Sequence, residues 1–178
     1  MKSIPVLVIA IASLAPVLAQ DTQPTTIVKD QRFEFALSIR AKATSFKAGS
    51  EIRIQVVQTN TSNRPISFQG RGSPEDTEVG YRTYIRDEKG RLLPETKLGR
   101  IIRTGKDEDA PPNTTVVFTS NGGVLRDLQP TESSVGEIIL NRLYNLERPG
   151  VYTVQVEPRW EPGVPAPKSN IITLTITK

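Results

Sequence analysis

The 178 residues include no cysteine and no histidine. Without histidine, Ser-His-Asp and Cys-His catalysis, His-ligated zinc and the commonest general base near neutral pH are all excluded. Without cysteine there is no thiol nucleophile, no thiolate-bound metal, no iron–sulfur cluster and no disulfide. Walker A, G-x-G-x-x-G, G-x-S-x-G and S-x-x-K patterns are also missing. An enzyme could then rest only on paired carboxylates or on a Ser-Lys dyad assembled in space, and acids that fall mostly in loops suggest no cleft for either. The sequence reads as non-catalytic, with no cofactor and no bound metal.

Aromatics are sparse: one tryptophan, four tyrosines and five phenylalanines. Lysine and arginine total 23 against 19 acids, a net charge of +4. These bases are scattered along the chain. Nucleic-acid binders gather them into a patch, with aromatics interleaved for single strands, so no nucleic-acid partner is expected.

Long apolar runs are equally scarce, with a single exception. Lys2 precedes Ile4 to Leu18, which carries no charge, and Val17-Leu18-Ala19 places small residues at the −3 and −1 positions before Gln20. That pattern predicts a signal peptide over residues 1–19. The run is about 15 residues, short of the ~20 that a spanning helix needs, and Pro5 and Pro16 interrupt it. The expectation is an exported protein, periplasmic or extracellular, with no stable membrane insertion after signal cleavage. Residues 20–31 read as a polar, flexible leader, and 32–178 as one domain whose stability must come from its core.

What the chain does contain is alternation. In Leu146 to Val156 (LERPGVYTVQV), Pro149-Gly150 ends one element, and Tyr152, Val154 and Val156 then fall on one face of a strand. A tyrosine at such a corner caps the core of immunoglobulin-like sandwiches, its hydroxyl bonding back to upstream backbone. Arg32 to Arg40 alternates with Phe33, Phe35, Leu37 and Ile39 inward. Glu51 to Gln58 does so with Ile52, Ile54 and Val56, and Tyr81 to Arg86 with Tyr81, Thr83 and Ile85. Ile66 to Phe68, Thr114 to Thr119, Val135 to Leu140 and Ser169 to Thr177 read as further strands, and Arg91 to Arg103 as a hairpin partner broken at Pro94. Gln69 to Gly80 reads as a loop, and Asn141 to Asn145 as one helical turn. The fold class expected is all-β: a single immunoglobulin-like antiparallel β-sandwich of about 7–8 strands.

KAGSEIRIQVVQTNTSNRPI, YRTYIRDEKGRLLPE, LNRLYNLERPGVYTVQV and KSNIITLTIT resemble blocks of exported bacterial immunoglobulin-like proteins of unknown function. The first and third also resemble the fold of BsuPI-type proteinase inhibitors. These are fold motifs. The resemblance implies a non-catalytic module with a protein-binding or structural role in the cell envelope, its partner a protein or another envelope ligand. The alternative it implies is a proteinase inhibitor acting through an exposed loop, with Thr104 to Asn113 and Pro158 to Pro167 the candidates.

For ligand binding the sequence singles out Trp160 and its neighbour Arg159, in the proline-rich stretch Pro158 to Pro167. A rigid loop carrying a large aromatic is where a sandwich collects binding contacts. Two acidic clusters, Glu75-Asp76-Glu78 and Asp107-Glu108-Asp109, lack the spacing of a calcium loop and read as solvated loop charges. Asn60-Thr61-Ser62 and Asn113-Thr114-Thr115 match a glycosylation sequon but read as turn residues.

Overall fold

A computed structural model describes residues 33–69, 74–111, 114–116, 118, 125–159 and 165–178. The expected signal peptide and leader lie outside these residues, as does Trp160. Among the described residues the chain is built mainly of strands, with three short helices.

Strand β1 (Phe35–Ala41) pairs antiparallel with β3 (Arg53–Asn60), which pairs antiparallel with β7 (Ser133–Ile139). Between them in sequence, β2 (Ser45–Lys47) has left that sheet and runs parallel to β9 (Ile172–Thr177). The second sheet continues antiparallel from β9 to β8 (Gly150–Pro158) and on to β5 (Tyr81–Arg86), which forms its edge. A two-stranded ribbon joins β4 (Ile66–Gln69) to β6 (Leu125–Leu128). The pairing is therefore antiparallel except at β2–β9, a departure from the purely antiparallel expectation.

One core lies between the two larger sheets. Leu37, Ile39, Ile54, Val56 and Ile138 face it from the first; Ile85, Tyr152, Val154, Val156, Leu174 and Ile176 face it from the second. The inward set expected for β3, β5 and β8 is the buried set, because the period of two places alternate side chains on one face; β9 buries Ile172, Leu174 and Ile176 in the same way. At the corner, the Tyr152 hydroxyl donates to the Arg148 carbonyl at 2.8 Å, which fixes the turn into β8.

Three further expectations fail. Residues 74–80 form helix α1 (Pro74–Gly80), not loop. The helix packs on β7 where Gly136 leaves room: a Cβ there would sit 2.7 Å from the Thr77 hydroxyl. The expected partner strand over 91–103 reduces to single bridges at Leu92 and Glu95, followed by helix α2 (Lys97–Thr104). Thr96 caps α2, its Oγ1 accepting from the Gly99 N–H at 3.0 Å, and Gly105 closes it by donating to the Ile101 carbonyl at 2.8 Å. Capping and the helical spacing of Leu98, Ile101 and Ile102 override the strand reading that the hairpin suggested. Thr114 to Val116 and Phe118 carry no strand. The single helical turn before the corner is present as α3 (Leu140–Leu143).

Helices α2 and α3 are held together by main chain. The Thr96 N–H donates to the Leu143 carbonyl at 2.9 Å, and the Thr96 hydroxyl donates to the Arg142 carbonyl. Gly99 is pressed against α3 so closely that a Cβ would stand 2.3 Å from the Leu143 oxygen. The pair is thereby fixed beside β5.

Candidate functional site

Between the free edge of β5 and the α2–α3 pair lies a cleft of about 600 Å³. Leu92, Leu93, Ile102 and Leu143 supply its apolar lining, and Tyr81, Tyr84 and Tyr144 its aromatic part. The Tyr144 hydroxyl donates to the Thr83 carbonyl, and the Leu93 N–H to the Ile85 carbonyl at 2.9 Å. These bonds use carbonyls on the β5 edge and so replace part of a missing neighbour strand.

Arg159 follows directly on β8 and reaches into this cleft, half-buried. Its backbone N–H donates to the Gly80 carbonyl at 2.9 Å. From the side chain, Nε donates to the Val79 carbonyl at 3.1 Å and a terminal nitrogen to the Arg103 carbonyl at 3.4 Å. Burial, followed by the nearby Arg82 cation, holds its pKa below the ordinary arginine value.

The other charges around the cleft occur in pairs. Arg82 lies 3.7 Å from Glu157, which also accepts from the Tyr84 hydroxyl. Arg103 meets Glu95 at 2.8 Å. Glu78 is buried, its Oε1 accepting from the Ile139 N–H at 3.2 Å and its Oε2 standing 3.4 Å from Arg142. Among the described residues Arg159 has no carboxylate within 4.0 Å. Thr83 is buried in the cleft wall, and its hydroxyl has no hydrogen-bond partner among the described residues.

Burial, with Glu95 and Tyr84 adding negative potential, pushes the Tyr144 phenol up to about 12. Burial and the bond to Glu157 raise Tyr84 as well. The folded protein retains a Tyr144 proton that the unfolded chain releases near the ordinary tyrosine value of 10.0, so stability is full below that pH and falls as pH rises towards 12. The expected loss from Tyr144 is about 1–2 kcal/mol once solvent screening is allowed for. Urea melts on either side of that window check it, and Tyr144→Phe should show a shallower fall.

Of the two ligand-binding residues expected from sequence, Arg159 sits in this cleft and Trp160 lies outside the described residues. Pro158 belongs to β8, paired with Tyr81, and does not open the loop. The acidic clusters are not simply solvated. Glu78 is drawn inside by α1. Lys97 binds Asp107 at 3.0 Å and Asp109 at 2.6 Å, and Arg100 stands 3.7 Å from Glu108, so the second cluster is tied to α2. Among the described residues no group of three or more Asp or Glu side chains could hold a metal ion. Asn60 is fully buried with both amide hydrogens engaged, so it is no glycan acceptor in the folded chain. No helix among the described residues is long and apolar enough to cross a membrane.

No family model and no curated protein matches this sequence. Among solved structures, the β-glucosidase EmGH1 of Erythrobacter marinus is similar over 80% of this chain, at 15% identity and a TM-score of 0.38. The chain spans only 15% of that enzyme's length. A likeness at that level carries no argument about fold or chemistry, so the reading of the site stands on its own geometry.

Proposed function

We propose that this chain is an exported, non-catalytic binding module of immunoglobulin-like fold, and that it takes its ligand in the cleft beside β5. The observation that carries the reading is the cleft itself: about 600 Å³, part apolar and part lined by charged side chains, and entered by a fixed cationic side chain from the end of β8. Ligand sites are commonly of this size and kind, mostly apolar with a few placed polar groups.

The fold part is supported by a first strand in one sheet, a second in the other running parallel to the last strand, and the tyrosine bond at the β8 corner. Export is supported by the apolar run after Lys2 and the small residues before Gln20. A binding role rather than a catalytic one is supported by the lack of histidine and cysteine and by acids paired with arginines around the cleft.

The test is an amide-shift screen of the protein with a library of small neutral fragments. Shifts should cluster on Tyr84, Leu93, Ile102 and Arg159. Leu92→Trp should abolish them while leaving the melting curve unchanged, because Leu92 is 53% exposed at the cleft mouth. Fragment shifts confined to other surfaces, or unaffected by Leu92→Trp, would overturn the reading.

A further inference from the structure

We propose that the cleft binds a small organic monoanion, a carboxylate on an apolar body, and that Arg159 receives the carboxylate. This rests on the reading that the cleft is the ligand site.

The charge comes from pairing. Around the cleft Arg82, Arg103 and Arg142 each stand within 3.7 Å of a carboxylate, those of Glu157, Glu95 and Glu78. Arg159 alone among these arginines has none among the described residues. A guanidinium withdrawn from water is unfavourable unless something replaces its hydration, and two main-chain carbonyls do so only in part. Arginine carries five N–H donors in a planar fork, and the two carbonyls engage only part of that set. The same bonds hold the fork in place, so little rotamer freedom is lost when an anion docks. A single cation with no carboxylate beside it among the described residues matches a single negative charge, which favours a carboxylate over a phosphate monoester carrying up to two.

The body of the ligand is set by the remaining lining. Leu92, Leu93, Ile102 and Leu143 call for hydrocarbon, with Tyr84 and Tyr144 offering aromatic surface. The Thr83 hydroxyl, which has no hydrogen-bond partner among the described residues, supplies one further donor or acceptor in the wall. An extended peptide added to the sheet fits less well. The Thr83 and Ile85 carbonyls on the β5 edge already accept from Tyr144 and Leu93, which leaves no continuous ladder for a new strand.

The experiment titrates the protein with octanoate, 4-phenylbutyrate, their neutral primary amides, octyl phosphate and a tetrapeptide with a free carboxylate. Each acid should bind about tenfold or more tightly than its amide, and added salt should weaken the acids but not the amides. Arg159→Gln should erase the difference between acid and amide while amide binding persists. Arg159→Lys should retain part of it. Acid and amide binding equally well in the wild type, both blocked by Leu92→Trp, would overturn the carboxylate inference and leave the cleft reading standing. Failure of every fragment and probe to reach the cleft would remove both. Tighter binding of octyl phosphate would overturn the monoanion, and tighter binding of the tetrapeptide would overturn the small-molecule class. If Arg159→Gln does not fold, the salt dependence of the wild type decides alone.

Discussion

Tyr152→Ala is expected to destabilise the protein by about 3–5 kcal/mol, the range for truncating a buried aromatic whose site cannot collapse. Tyr152 is buried in the common core of the two sheets, at the start of the strand that lies second from the edge in its sheet. Its ring packs beneath Gly150, and its hydroxyl donates to the Arg148 carbonyl. Truncation removes both the apolar contact and the tie that closes the corner. Tyr152→Phe separates the two: it keeps the ring and loses one hydrogen bond, for an expected fall of about 0.5–1.5 kcal/mol. Urea melts of the two variants measure the division. An unchanged midpoint for Tyr152→Ala would show that the corner does not hold the sheet.

Asn60→Ala is expected to destabilise by about 2–4 kcal/mol, a large effect for a polar residue at a strand end. The side chain is wholly buried and connects three pieces of chain. Its Nδ2 donates to the carbonyls of Arg64 and Leu128, both at 2.8 Å, and its Oδ1 accepts from the Ser62 N–H and hydroxyl at 2.9 and 2.8 Å. Alanine removes the buried bond to the Leu128 carbonyl, and loss of a donor to a buried group costs about 1–3 kcal/mol; the other lost bonds add to this. Asn60→Asp is the sharper probe. It keeps the shape and the acceptor for Ser62 but sets a carboxylate against two carbonyls. Its deficit relative to wild type should shrink as pH falls towards about 4, where protonation restores one donor. A deficit independent of pH would mean that the loss comes from packing alone.

Residues of this kind mark the limit of legibility in the sequence. Strands β3, β5, β8 and β9 could be read because each buries one face, and a period of two writes that burial directly into the chain. The corner tyrosine could be read because both its ring and its acceptor lie within five consecutive residues. Asn60, by contrast, reads locally as a turn residue, and only its contact with Leu128, 68 positions away, makes it internal. For α2 the signals were present: Thr96 before KLGRIIRT, Gly105 after it, and helical spacing within it. The Asp87 to Gly90 turn has the residues of a hairpin, and within that pattern Pro94 looks like a break in a strand although it marks the strand's end. The cleft left no local trace. Its walls come from the edge of β5, from α2, from α3 and from the residue after β8, and none of these shows from its own sequence that it faces the others. Arg159 stands out in the sequence only through its neighbour Trp160, and its place depends on the carbonyls of Val79 and Arg103, which no pattern near residue 159 announces.

The crossing of β2 into the second sheet sets the timing of assembly. Residues 45–47 find their partners only in residues 175–177, and the Asn170 side chain binds both the N–H and the carbonyl of Ile39, at 2.8 and 3.1 Å. A chain delivered from a ribosome or a translocation channel can pair β1 with β3 early, but β2 meets its strand partner β9 more than a hundred residues later. Until then β8 lacks β9, and the core is open along one side. Loop closure over such a distance is slow, and the waiting species exposes unpaired strand edges. The nascent chain therefore has a long interval in which a holding chaperone has something to grip, and the interval ends only when β9 has emerged.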